Sequence, residues 1–212
     1  MLRLTRLIAR PLLVTGLAIT ILFQAGSVIA ATPPDAAKEY MHKLATVTLG
    51  ILGNKGIPLD EREQKVRKLL GENLAINAMG RFVVGRAWRS ATEEQRAAYQ
   101  GLFEQFITLT YAKRLGGYAG EKFAITGSKA VGKKKDALVT TAIQRPSGPP
   151  LKASWRIRES KGAFRILDVM VEGISMVVAQ RAEFTTIIKK SGMQGLIETL
   201  RAKVSSFGVK AP

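Results

Sequence analysis

The hydrophobic period of this chain changes twice, from about 3.6 residues to 2 near residue 121 and back near residue 175. Helix-forming stretches must therefore flank a block of strands, which sets the fold class as α+β. From 33 to about 119 the pattern is helical. "TPPDAAKEYMHKLATVTLGIL" opens on prolines and brings Tyr40, Leu44, Val47 and Ile51 to one face. "PLDEREQKVRKLLGENL" offers Asp60 as an N-cap before Val66, Leu69 and Leu70, and a short helix then holds Ile76, Met79, Phe82 and Val83. The longest helix begins at "SATEEQRAAYQGLFEQFITLTYAKRLGGY", where Thr92 and Gln95 form a capping box and Gly116-Gly117 end the run. Its apolar residues, from Tyr99 through Phe103, Phe106 and Tyr111 to Leu115, cover more than half of the circumference. A surface helix needs a stripe of only about 100°. This helix is either wrapped by other elements or borders an internal apolar space.

Between 121 and 172 four strands are predicted, at 122–130, 137–145, 151–159 and 163–172. The turns "GKKKD", "RPSGPP" and "SKG" separate them, and such short links imply an antiparallel meander. "LKASWRIRE" alternates cleanly, so one sheet face is apolar. Strict alternation builds that face from Phe123, Ile125, Val139, Ile143, Trp155, Ile157, Leu167, Val169 and Val171, with Phe164, Ile166 and Met170 on the other side. The turn Lys133-Lys134-Lys135 is expected to be a solvated hairpin tip. After it come two C-terminal helices within 175–206, the first capped by Ser175 and the second starting past Gly192.

The first thirty residues place three arginines before a long apolar run and end in Val28-Ile29-Ala30, the three-part pattern of a secretory signal peptide. The alternative is an uncleaved anchor, against which Gly16, Gln24, Gly26 and Ser27 weigh. Cleavage before Ala31 leaves 31–212 as one domain. The formal charge of +17, less the three arginines of the leader, becomes +14. Such a balance suits an anionic membrane face or acidic partners, while export and the lack of a basic-aromatic motif exclude nucleic acid. With no cysteine and a single histidine, His42, the chain cannot assemble a zinc, copper or haem ligand set, and thiol chemistry is excluded.

One constellation remains, "DVMVEGISMVVAQRAEF" at 168–184. Asp168 and Glu172 share a strand face about 13 Å apart at Cα, too far for a cooperating acid pair. Arg181 borders the apolar arc of the next helix, so an ion pair from Arg181 to Asp168 or Glu172 is expected to lock the joint.

This segment, with the later "GMQGLIETL", resembles the MlaC/toluene-tolerance family of periplasmic phospholipid-binding proteins. The stretch from Phe82-Val83-Val84-Gly85-Arg86-Ala87-Trp88 through "SATEEQRAAYQGLFEQFITLTYAKRLGGYAG" is similar to the family's helical half. Ala179 and Gln180 depart from it, where the family often carries asparagine and tyrosine. A hopanoid-associated branch is similar too. The resemblance implies a periplasmic carrier without cofactor or catalytic residue. Its partners would be phospholipid, an inner-membrane ABC-transporter complex and an outer-membrane lipoprotein complex, serving outer-membrane lipid asymmetry. Acyl tails would then be lined by Trp88, Phe103, Phe106, Tyr111 and Tyr118 from the helices. From the sheet they would meet Phe123, Val139, Trp155, Ile157, Val169 and Val171. The rival readings are an enzyme acting on a small apolar substrate and an adaptor with a filled core.

Overall fold

The computed structural model describes residues 31–118, 120–133 and 135–209; the expected leader and Lys134 lie outside them. Five helices come first: α1 (Pro34–Gly53), α2 (Leu59–Asn73), α3 (Ile76–Val84), the single turn α4 (Ala87–Ser90) and α5 (Glu93–Gly116). The strands β1 (Lys122–Val131), β2 (Asp136–Gln144), β3 (Leu151–Ser160), β4 (Ala163–Val171) and β5 (Ile174–Ser175) follow, and α6 (Met176–Ser205) closes the chain. The sheet is an antiparallel meander in the order β1-β2-β3-β4-β5, one short strand more than the periodicity predicts.

The local rules hold where side chains supply the caps. Thr92 Oγ1 accepts the Gln95 amide at 3.2 Å and Gln95 Oε1 accepts the Thr92 amide, so the capping box of α5 is complete. Ser175 Oγ accepts the Val178 amide at 3.1 Å and starts α6. Asp60 does not cap α2, which starts at Leu59 behind Pro58 without a side-chain cap. Asp60 and Glu61 sit instead in its first turn, where the helix dipole favours carboxylates. Gly192, at φ +67° and ψ −171°, breaks α6 into the two arms the sequence predicts.

The core lies between the helices and one sheet face. On the helical side Tyr99, Phe103 and Phe184 stack within one another's reach, with ring centroids 5.6 to 6.5 Å apart. The Tyr99 hydroxyl donates to the Gly80 carbonyl at 2.9 Å, tying α5 to α3. On the sheet side α1 lays Ala37 and Met41 into the core and stacks Tyr40 on Phe164 at 5.2 Å.

The alternation in β4 is interrupted. Arg156 pairs with Asp168, yet the next pair is Ile157 with Ile166, which leaves Leu167 as the extra residue of a bulge. One added residue shifts the phase of the strand. Ile166 and Phe164 therefore join the core face rather than the face opposite Val169, and Leu167 leaves it. Ile166 then anchors the helical layer, because its carbonyl accepts the Ala75 amide at 2.8 Å.

Candidate functional site

Register defines the inner face of the sheet. Phe123, Ile143 and Leu151 form one cross-strand row. Val139, Trp155 and Val169 form another, and Ala153 pairs with Val171. Each row sets side chains close enough to make a continuous apolar strip. Trp155 is fixed at its polar end, since Nε1 donates to Thr141 Oγ1 at 3.0 Å, and its ring lies 6.4 Å from that of Phe123.

The expected lining residues divide by burial. Phe103, Val139 and Ile157 are at most 1 % exposed and Phe106 is also buried, all four within the main hydrophobic cluster. Phe123, Trp155, Val169 and Val171 on the sheet are only half-buried, as is Tyr111 on α5. Leu109 of α5 and Ile187 and Ile188 of α6, unremarked as lining in the sequence, share that partial burial beside the same core. Helix α5 packs mainly on α2, α3 and α6, whereas the sheet packs mainly on α1. Helix α6 also packs on β4 and β5, and the partly buried residues of the sheet, α5 and α6 rest against the same core. Trp88 packs against the same main core, whereas Tyr118 does not. Trp88 is flanked by the guanidiniums of Arg81 and Arg96, 5.2 and 5.7 Å from its ring, and meets Tyr99 edge-on. Tyr118 packs on a separate small cluster of Leu52, Val66 and Ala112.

An open groove of about 880 Å³ runs between α2 and α5, lined by polar residues including Arg67, Glu72, Glu104 and Gln105. A neighbouring one of about 370 Å³ reaches Arg165. Neither is lined by Trp155, Phe106 or Val169. Among the described residues no helix is long and apolar enough to cross a membrane, and no three metal-ligating side chains gather. His42 is exposed on α1, as are Lys133 and Lys135 in their turn.

The acid-serine-arginine stretch is a structural joint with partners other than those expected. Asp168 is buried; its Oδ2 accepts the Ser175 hydroxyl at 2.6 Å and its Oδ1 the Val177 amide at 3.2 Å. The carboxylate thus holds both the capping residue and the first turn of α6, where negative charge is favoured. Glu172 and Gly173, at φ +48° and +82°, make the two-residue turn between β4 and β5. The Glu172 carboxylate accepts the Lys152 amide at 2.7 Å. Arg181 pairs with neither acid. Its guanidinium lies 4.9 Å over the ring of Phe82, and it runs so close to Gly85 that a Cβ there would come within 3.0 Å. Helical phase explains the correction: Arg181 points toward α3, away from the sheet edge that carries the acids.

A second buried acid escaped the sequence reading. Asp136 accepts Arg156 Nε at 2.6 Å and Arg158 Nε at 2.5 Å, and it is fully buried while both arginines remain part-exposed. The signal was present, an acid opening β2 beside two arginines spaced by two in β3. Thr32 closes this end of the sheet by donating to the Lys135 carbonyl and accepting the Glu159 amide. Burial also raises three phenols: Tyr40 to about 12, and Tyr99 and Tyr111 in the same direction.

The family model "MlaC protein" matches residues 43–202, which run from within α1 through most of α6. The chain belongs to the MlaC family. A curated relative from Haemophilus influenzae, the intermembrane phospholipid transport system binding protein MlaC, is 26 % identical over 143 residues, covering 66 % of this chain and 67 % of its own. A solved phospholipid-binding protein from Ralstonia solanacearum, in complex with a phospholipid, superposes with a TM-score of 0.67 at 20 % identity. It covers 84 % of this chain and all of its own, and it shares the fold. Membership in the MlaC family thus agrees with the α+β architecture built above from period, caps and register.

Proposed function

We propose that this protein carries phospholipid, holding the acyl chains against the half-open strip between the inner sheet face and α5–α6. The observation that carries the reading is the unequal burial of the inner face. Val139 and Ile157 are sealed, while Phe123, Trp155, Val169 and Val171 on the same face keep accessible apolar surface. An acyl chain laid there removes that surface from water, and each methylene buried contributes about 0.8 kcal/mol. The relative from Haemophilus influenzae supports phospholipid as the ligand class by its name, and the complex from Ralstonia solanacearum supports it by its bound molecule.

In this reading residues 31–212 form one lipid-binding unit that works in the periplasm after loss of the leader. It passes lipid between an outer-membrane lipoprotein complex and an inner-membrane ABC-transporter complex without altering it. Because the strip borders a well-packed helical layer, loading and release require the α5–α6 layer to move relative to the sheet, which a donor or acceptor complex would promote. No chemical step is assigned. Asp168, the buried acid of the joint, is engaged in capping α6.

The test is native mass spectrometry of protein purified without detergent, followed by solvent extraction. A bound diacyl phospholipid is the expected result, at one per chain. A hopanoid in its place would keep the site and change the lipid class. A chain of unliganded mass that takes up no lipid from vesicles would overturn the carrier reading.

A further inference from the structure

Three of the large apolar side chains most open to water gather at one end of the molecule. Ile174 follows the β4–β5 turn and is 61 % exposed, Val178 lies one helical turn further on and is 54 % exposed, and Phe82 of α3 is 43 % exposed. Val178 and Phe82 are linked through Arg181, which follows Val178 by three residues on the same helix face and covers Phe82, and Ile174 directly precedes Ser175, the cap of that helix. Near them stand Arg81 on α3, Arg86 just before α4, Arg89 on α4 and Arg181 on α6, all exposed, and these three helices pack together. None of the four forms a salt bridge among the described residues.

The acids near this end are committed elsewhere or stand at its border. Glu172 accepts the Lys152 amide, and Glu183 is held by Lys203 at 2.7 Å and by Gln180 at 2.9 Å. Glu93 and Glu94 open α5 beside the patch and pair with none of its arginines. Arg96 is not counted with the others, since its guanidinium is used internally on the Trp88 and Arg89 carbonyls.

We infer that this end is a docking surface for an anionic phospholipid bilayer, with Ile174, Val178 and Phe82 entering the headgroup region and the arginines meeting phosphates. The shape favours a bilayer over a folded protein partner. Ile174 and Val178 are exposed at a turn tip and a helix start, and Phe82 in the last turn of α3, and a basic collar around an exposed apolar tip is what an interfacial anchor requires. Guanidiniums without carboxylate partners are free to bind phosphate oxygens in pairs. The inference does not depend on lipid being held inside the protein.

The experiment uses the full mature chain with two sets of vesicles, phosphatidylcholine alone and phosphatidylcholine carrying one quarter phosphatidylglycerol. Binding is expected to the second, weakening as salt is raised. Arg86→Gln with Arg89→Gln should weaken it by roughly fivefold per residue, and Ile174→Ser with Val178→Ser should weaken it at low and high salt alike. All four positions are exposed, so melting temperature serves as the control for folding. Extracted lipid content, read on the same variants, should stay at the wild-type level, which separates this inference from the carrier reading. Equal binding to both vesicles, absence of binding, or binding that these variants leave unchanged would overturn it. Absence of binding together with variant-sensitive capture by an acidic protein of the transport system would assign the patch to a protein instead.

Discussion

The two sides of the core are built from similar residues and finished differently. On the helical side Tyr99, Phe103 and Phe184 close on one another, and all three are at most 1 % exposed. On the sheet side Phe123 and Trp155 also pair, yet their rings and the neighbouring Val169 and Val171 stay half-open. Similar residues are thus closed off in the helical cluster, whereas the sheet strip keeps spare apolar surface. A substitution should thus have opposite signatures on the two sides: stability lost on one, ligand lost on the other.

The largest expected effect is on the sheet. Val169→Asp should abolish recovery of bound lipid, because an unpaired charge facing acyl chains is strongly disfavoured. Solvent extraction followed by mass spectrometry reads this, and lipid retained at the wild-type level would break the comparison. On the helical side Phe103→Ala should lower stability by roughly 3–5 kcal/mol, by loss of buried rings and creation of a cavity. Denaturant unfolding measures it. The surviving folded protein should still carry lipid. If Phe103→Ala empties the protein while Val169→Asp does not, the two sides have been assigned the wrong way round.

Much of the scaffold was legible in the sequence. The capping box at Thr92, the cap at Ser175, the break at Gly192 and the alternation in β3 are all written in neighbouring residues. What could not be read depends on contacts across the fold. The bulge at Leu167 is one added residue in a strand, and alternation counts straight through it, which sent Phe164 and Ile166 to the wrong face. The partners of Asp136 lie about twenty residues away on β3, and only the register of β2 against β3 brings them together. Leu109, Ile187 and Ile188 look in sequence like any helical core position. Only the packing of α5 and α6 against the shared core leaves them partly buried.

A smaller effect belongs to the joint between the sides. Asp168→Ala removes the acceptor of the Ser175 hydroxyl and the Val177 amide, and should destabilise the protein by about 1–3 kcal/mol. Lipid class should not change. Hydrogen exchange should show the first turn of α6 opening before the rest of that helix.

The phenols provide a pH test of the same core. Burial raises the pKa of Tyr40 to about 12, and of Tyr99 and Tyr111 in the same direction. The folded state therefore retains protons that the unfolded chain gives up near pH 10. Their stabilising contribution is full below pH 10 and is lost as pH rises through the folded values. Melting temperature should fall from pH 10 toward 12, and Tyr40→Phe should flatten the Tyr40 part of that fall. An unchanged slope in the variant would mean that Tyr40 titrates alike in both states.

The smallest effect separates two accounts of Arg181. Had it been an ion-pair partner of Asp168, Arg181→Met would strand a buried carboxylate and cost several kcal/mol. The side chain lies on Phe82 at the surface, so what is lost is one exposed cation–π contact, worth about 0.5–1 kcal/mol. Methionine keeps apolar contact with the ring and offsets part of that. Arg181→Met should thus shift the melting temperature little, and the double variant Arg181→Met/Asp168→Ala should lose close to the sum of the two single losses. A large effect of Arg181→Met alone that disappears in the Asp168→Ala background would restore the ion pair and place Arg181 in the joint after all.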